Sequence, residues 1–414
     1  MKIAVPRETA EGETRVALTP QIAGQLAGDG VEVLVQSGAG EASSNLDEAY
    51  REAGATIVPD AAALYGQAEL VLRVGRPSEE EVEMLREGIV LIGTLGTLAK
   101  PELAQKLAKR GVTAISMDAI PRITRAQSMD TLSSQATVGG YKAVLIAAER
   151  LPKFFPLLTT AAGTIRPARG IIMGAGVAGL MAIGTARRLG AVVEATDVRP
   201  VVKEQVESLG GTFIEVEMTD EEKAKAETAG GYATEMSEDY KRRQAELIAQ
   251  RVTEADFIIT TALIPGRPAP KLVTEAMVKS MKPGSVIVDM AAEMGGNCEL
   301  TEPNREVVKH GVRIIGLTNL PATMPGSATQ MYAKNVQTLV KHLMSDGALA
   351  LDFSDEITRG ATITHDGKVI HEATAKALGI EVAEPAGAAP AADDADQPSA
   401  EAAEGASSAE KKDA

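Results

Sequence analysis

Two stretches of the 414-residue sequence concentrate residue types at spacings that can do chemistry. The first is Gly174-Ala-Gly176-Val-Ala-Gly179, which follows the apolar run Gly170-Ile-Ile-Met and opens a helical pattern from Val177 to Leu189. A second β-branched run, Ala191 to Thr196, ends on Asp197, 18 residues beyond Gly179. Gly174 suits a tight turn, Gly176 lets backbone approach a pyrophosphate, and Gly179 lets helix and strand pack closely. The helix N-terminus receives the anion, because its N–H groups are free and its dipole is positive there. A carboxylate at Asp197 accepts from ribose hydroxyls and repels a 2′-phosphate, which selects NAD over NADP. Arg199 argues weakly the other way, and equally fits a hold on the pyrophosphate or ribose. A lone glycine pattern of this kind also occurs in ligand-free strand–helix turns. Strand, helix, second strand and terminal acid together favour a dinucleotide site. Thr261-Ala262-Leu263 ends a further strand of the same unit, at the sheet edge where ligands bind.

The second stretch is Arg122-Ile-Thr-Arg-Ala-Gln127-Ser-Met-Asp130-Thr-Leu-Ser133, placed between a strand and a long helical pattern. Two readings fit it. Arg122, Gln127, Asp130 and Ser133 can grip a ribose and a carboxamide through bidentate and neutral hydrogen bonds. Alternatively Ser128 or Asp130 caps the helix and Arg122 is a surface partner.

The histidines narrow the chemistry. A dehydrogenase acting on an alcohol or amine moves a proton as well as a hydride, and needs a positioned acid or base. All four histidines (His310, His342, His365, His371) follow residue 309, outside both stretches. Hydride exchange between two nicotinamide rings releases no proton at the reacting carbons. It needs orientation and exclusion of water instead.

The elements that must position these stretches are legible from the hydropathy pattern. Short β-branched runs (KIAV, VEVLV, ELVLRV, IVLIGTL, VTAISM) alternate with helical patterns such as PQIAGQLAGDG and KPELAQKLAKRG, which predicts a mainly parallel sheet. Met129 to Glu149 reads as one long helix bridging two domains, despite Gly139 and Gly140. A second α/β unit runs from Gly170 through AVVEATDV, ADFIITTA, GSVIVDMA and VRIIGLT. The helix in NLPATMPGSATQMYAKNVQTLVKHLM is expected to return to the first domain. The expected organisation is a first α/β domain of residues 1–135 and 320–380, a nucleotide-binding domain of 136–319, and a disordered acidic tail, 381–414. Residues 217–246 form a charged excursion around Gly230-Gly231-Tyr232, read either as a functional mobile loop or as a plain surface hairpin.

Composition sets the boundaries. Apolar residues are 44% and aromatics 3%, so cores must be built from Ala, Val, Ile, Leu and Met. One cysteine, Cys298, excludes an intramolecular disulfide and a multi-cysteine zinc cluster. No apolar stretch is long enough to span a membrane, and the N-terminus lacks an apolar signal core, which predicts a cytoplasmic chain. A net charge of −15 argues against nucleic acid as a partner. Residues 381–414 hold nine acids and two lysines, so nearly half of that charge sits in the tail.

The run RxTRAQSMDxLSSQ resembles the nicotinamide-binding loop of proton-translocating nicotinamide nucleotide transhydrogenases, in their peripheral NAD(H)-binding component. The opening ETRVALTP, the fingerprint unit, the GGYATEM loop and NLPATMPGSATQMYAKN resemble the same component, so the likeness extends to about Gly379. It implies two Rossmann-like α/β domains linked by long helices with a cleft between them, as a homodimer. It implies that Arg122, Gln127, Asp130 and Ser133 contact the nicotinamide end of NAD(H). Gln127 would also reach toward NADP(H) held on a partner subunit, and Gln127, Asp130 and Arg122 would be the catalytic set. Asp197, Val198 and Arg199 would flank the adenosine, Val177, Gly231 and Leu263 would lie near the nucleotide, and Tyr232 would ride on a closing loop. The implied partners are an NADP(H)-binding subunit and a membrane-spanning subunit that carries the proton path, which attach the chain peripherally to the inner membrane. Alanine dehydrogenases resemble the chain too, but their pattern has a Lys and a His where Gly75 and Gly96 stand here. An amino-acid dehydrogenase and a non-catalytic NAD(H) sensor are the alternatives.

Overall fold

In the computed structural model, which describes residues 1–216, 238–263 and 266–383, the β-branched runs build two main sheets. Strands β1 (Lys2–Val5), β2 (Glu32–Gln36), β3 (Thr56–Val58), β4 (Leu70–Leu72), β5 (Val90–Gly93) and β6 (Thr113–Ser116) pair in parallel in the order β6-β5-β4-β1-β2-β3. Both faces are apolar, as a parallel sheet covered by helices requires. Alternation along each strand divides them. Ile3, Val5, Leu70, Leu72 and Ile92 face one core, and Ala4, Leu34, Val71 and Leu91 face the other.

The chain crosses to the second sheet through the helix Thr131–Arg150, two residues shorter at its start than the sequence pattern predicts. The preceding Thr124–Met129 forms a 3₁₀ turn instead. An exposed hairpin of β7 (Leu158–Thr160) and β8 (Gly163–Ile165), not foreseen from sequence, follows. The second sheet holds β9 (Arg169–Met173), β10 (Val192–Thr196), β11 (Thr212–Phe213), β12 (Phe257–Thr260), β13 (Val286–Asp289), β14 (Glu306–Lys309) and β15 (Val312–Ile315). Its order is β11-β10-β9-β12-β13-β15-β14, parallel except for the β14–β15 pair.

The helix Pro325–His342 then returns to the first sheet, where Tyr332, Val336 and Leu339 join the core of Ile3 and Leu72. After a short ribbon, β16 (Met344–Ser345) and β17 (Ala348–Leu349), strands β18 (Thr362–His365) and β19 (Lys368–Val369) extend that sheet antiparallel beyond β6. The architecture is two α/β domains with mostly parallel sheets.

Gly139 and Gly140 stand inside the long helix at a cost of roughly 1 kcal/mol each relative to Ala. The crossing explains them. A Cβ on Gly140 would lie 2.1 Å from the carbonyl oxygen of Ala178, and one on Gly139 would lie 2.9 Å from Met290 Cε. The linking helix therefore lies directly against the first turn of the fingerprint helix, Val177–Arg188.

No helix of the described residues is long and apolar enough to cross a membrane. Residues 217–237 and 384–414, with Gly231, Tyr232 and most of the acidic tail, lie outside the described residues.

Candidate nucleotide site

The fingerprint glycines do three different things. Gly174 turns the chain at φ +105°, and a Cβ there would lie 2.4 Å from Thr261 Oγ1. A Cβ on Gly179 would lie 1.8 Å from the carbonyl oxygen of Gly174, so helix and turn touch backbone to backbone. Gly176 is unlike both: the nearest atom to its would-be Cβ is Arg199 Nη2, at 3.9 Å. Its bare face is open, as close approach of a ligand demands. Gly176 is also the N-cap of the Val177–Arg188 helix and has no side chain to cap the first-turn N–H groups. That end suits a pyrophosphate. Val177 and Val198 are exposed beside it.

Asp197 lies at the end of β10 with a side chain only 6% exposed. Its Oδ2 accepts from the Ala175 amide (2.7 Å) and from Arg199 Nη2 (3.0 Å), while Oδ1 accepts from Arg199 N (2.9 Å) and Nε (3.0 Å). Burial pushes this carboxyl up, but the hydrogen bonds from Arg199 and Ala175 outweigh it and hold it below the usual carboxylate range. The carboxylate is therefore ionised, and Arg199, a residue suited to reading a phosphate, is occupied neutralising it.

Across the turn, the loop after β12 carries exposed Leu263. Buried Asn297 organises this loop: its Oδ1 accepts from Ala262 N (3.0 Å), and its Nδ2 donates to the carbonyls of Ala262 (2.9 Å) and Pro270 (2.8 Å).

At the other end of the linking helix, Ala126 and Met129 plug the first core, leaving Arg122 and Gln127 exposed. Neither side chain has a hydrogen-bonding partner among the described residues. Asp130 is the N-cap: its Oδ1 accepts from Ser133 N at 2.9 Å, and its Oδ2 from Ser133 Oγ. Capping is thus what Asp130 does here, whereas Ser128 caps nothing and Arg122 is no surface ion-pair partner among the described residues. The Ser128 carbonyl accepts from Asn335 Nδ2 (2.7 Å), and Asn335 Oδ1 accepts from Ser134 Oγ (2.6 Å).

The domains meet at Glu13 and Arg15. Arg15 grips Glu13 through Nε and Nη2 and donates to Gln135 of the linking helix, while Asn319 Nδ2 donates to Glu13 at 3.0 Å. Burial raises the Glu13 carboxyl and the Arg15 hydrogen bonds lower it further, leaving it below its ordinary value. Gly75 and Gly96 carry no side chain of their own, and the atoms nearest their would-be Cβ positions are Glu8 Oε2 (3.7 Å) and Arg76 Nη1 (3.9 Å). The histidines are held structurally: His310 to Glu275, His342 to Asp355, His365 to Thr113, and His371 as the N-cap of Glu372–Leu378. Among the described residues no cluster of acids, histidines and cysteine could hold a metal ion.

The structure thus gathers Gly174, Gly176, Gly179, Asp197 and Arg199 in one cradle, with Asp130 and Ser133 at the start of the helix that crosses it and Arg122 and Gln127 in the segment leading into that helix. Asn297 and Asn335, which hold the loops of this site, gave no sequence signal, because their partners lie far away in the chain. A cradle shaped by glycines, open at Gly176 and ending on an ionised acid, fits NAD(H).

These features define a two-domain α/β protein of the nucleotide-binding kind. Residues 4–139 and 143–372 match the N-terminal and C-terminal domains described as "Alanine dehydrogenase/PNT", and the chain belongs to that family. It is 50% identical over 380 residues to an NAD(P) transhydrogenase alpha-subunit chain of Rhodospirillum rubrum, covering 90% of this chain and 98% of that one. It is 35% identical to the alanine dehydrogenase of Bacillus subtilis, over 92% of this chain and 96% of that one. A transhydrogenase structure from Sinorhizobium meliloti superposes with a TM-score of 0.82 at 44% identity, covering 89% of this chain and all of that one.

Proposed function

We propose that this chain is the NAD(H)-binding subunit of a proton-translocating transhydrogenase, passing hydride between NADH and NADP⁺ held on a partner subunit. The reading is carried by one arrangement: a cradle open at Gly176 beside Gly140 of the crossing helix, and, before the start of that helix at Thr131 (about 14 Å from Gly140 at 1.5 Å per residue), an exposed Arg122 and Gln127 without partners among the described residues. Bound NAD(H) supplies the hydride chemistry through its nicotinamide ring. The chain supplies position. The helix end at Gly176 holds the pyrophosphate, and Asp197 takes the adenosine ribose, with Arg199, Val177, Val198 and Leu263 around it. Gln127, Asp130 and Arg122 orient the nicotinamide, and Ser133 shares its hydrogen bonds between Asp130 and the ligand. Gly231 and Tyr232, which lie outside the described residues, complete the proposed nucleotide-contacting set. No proton is held or moved at the reacting carbons, consistent with four structurally engaged histidines.

Proton movement would run through a membrane-spanning subunit, with this chain on the cytoplasmic side of the inner membrane and docked through its partners. A homodimer is the proposed state. In its support, Phe154, Leu157 and Ile165 leave apolar side chains exposed along the β7–β8 hairpin region, whose burial would favour association.

The test is reconstitution. The purified chain is expected to bind NADH, oxidise none alone, and transfer hydride once the NADP(H)-binding subunit is added. Pyruvate- and ammonia-dependent oxidation of NADH by the chain alone would overturn the reading.

A further inference from the structure

We propose that Asn335 is a positioning residue for hydride transfer, holding the backbone that aims Gln127. The proposal rests on the reading of residues 122–133 as the nicotinamide-side element. Gln127 has no hydrogen-bonding partner for its side chain among the described residues, so its direction is set by the backbone beneath it. That backbone is a 3₁₀ turn, Thr124–Met129, a conformation with poor internal hydrogen-bond geometry. Two apolar anchors, Ala126 and Met129, fix its depth against the core. They do not fix its rotation.

Asn335 does. Its Nδ2 donates to the Ser128 carbonyl, one residue beyond Gln127, at 2.7 Å. Its Oδ1 accepts from Ser134 Oγ, in the first turn of the linking helix, at 2.6 Å. One amide therefore grips the chain on both sides of Asp130. Asn335 is itself 9% exposed and rides on the returning helix, whose Tyr332, Val336 and Leu339 are locked in the sheet core. The grip needs a donor and an acceptor at once, which a side-chain amide supplies. An aspartate in its place would set a carboxylate against the Ser128 carbonyl, keeping the Ser134 bond and losing the other. A further tether, Arg125 to Asp355 at 3.0 Å, uses an arginine that is 62% exposed and so constrains little.

The experiment compares the full-length wild type, Asn335→Asp and Asn335→Ala, each with the NADP(H)-binding subunit. It reads hydride-transfer kcat, NADH affinity, and amide hydrogen exchange in peptides covering 124–130. Small displacements of a reacting group cost large factors in rate, so kcat is expected to fall about tenfold or more. NADH affinity should stay within about twofold, because the pyrophosphate cradle is untouched. Exchange in 124–130 should quicken while β9 and its helix keep wild-type protection. In a Gln127→Asn background, Asn335→Asp should add less than about threefold, because both act through one group. Unchanged kcat and exchange in the Asn335 variants would overturn the proposal, as would equal losses in the two backgrounds. Ser134→Ala removes one of the two bonds from the opposite side; it should shift exchange in the same direction, and no shift there counts against the proposal if the Asn335 variants fail to fold. A wild type that transfers no hydride overturns the transhydrogenase reading alone, and the exchange data still decide what Asn335 holds.

Discussion

Asp197 holds Arg199 by both carboxylate oxygens, and the same Oδ2 also accepts the Ala175 amide of the fingerprint turn. The acid expected to read a ribose is thus also what neutralises a nearby cation suited to a 2′-phosphate, Arg199, whose Nη2 lies beside Gly176.

Removing the acid should therefore do more than weaken NADH binding. Asp197→Ser is expected to lower NADH affinity about tenfold or more, the loss of a charge-assisted pair of hydrogen bonds. It should raise NADPH affinity through the freed Arg199, and Asp197→Ser/Arg199→Ala should lose that gain. Nucleotide fluorescence titration measures both. No gain in NADPH binding would show that Arg199 does not reach the phosphate.

Gly140 tests how the linking helix positions the fingerprint. A methyl group there would meet the Ala178 carbonyl at 2.1 Å, a backbone atom that cannot rotate away. Gly140→Ala should destabilise the chain by about 1–3 kcal/mol despite its better helix propensity, as overpacking does. Urea unfolding reads the effect; a neutral or stabilising result would mean that the two helices separate readily.

Gln127→Asn shortens the exposed amide by one methylene without disturbing a hydrogen bond of its side chain to any described residue. Hydride-transfer kcat with the NADP(H)-binding subunit should fall about tenfold or more, with NADH affinity nearly unchanged, the pattern of an interaction made at the transition state. Full turnover would remove this loop from the mechanism.

The domain junction should respond to acid. Glu13 has a folded-state pKa below its ordinary value of 4.5, where Arg15 outweighs burial. A carboxyl depressed in the folded state adds stability that is complete above its unfolded value and is lost as pH falls through the folded one. The stability difference between wild type and Glu13→Gln should be constant from about pH 8 to 6. It should shrink below about pH 4.5 as wild-type Glu13 takes up its proton. A difference that does not change with pH would place the contribution of Glu13 outside its charge.

Much of the fold was legible because its signals are local. Strand runs, the fingerprint unit and the long helix follow from hydropathy period and turn chemistry within a few residues of each element. The antiparallel additions at β14, β18 and β19 and the β7–β8 hairpin were not read, since short edge strands are defined by the neighbour they pair with. Asp130 shows the limit within one residue: two readings fitted its sequence, and only the placed Ser133 identified the helix cap.

By itself, then, the sequence determined the dinucleotide cradle, the family resemblance and the lack of an acid–base histidine, because these rest on residue types at fixed spacing. Tertiary structure alone decided why Gly139 and Gly140 stand inside a helix, what Asp197 grips before any ribose arrives, and which amide holds the Gln127 loop. Each depends on atoms brought together by packing from separate parts of the chain: Ala178 against Gly140, Asn297 against Ala262, and Asn335 against Ser128, 207 residues away. Spacing along a chain records none of those distances.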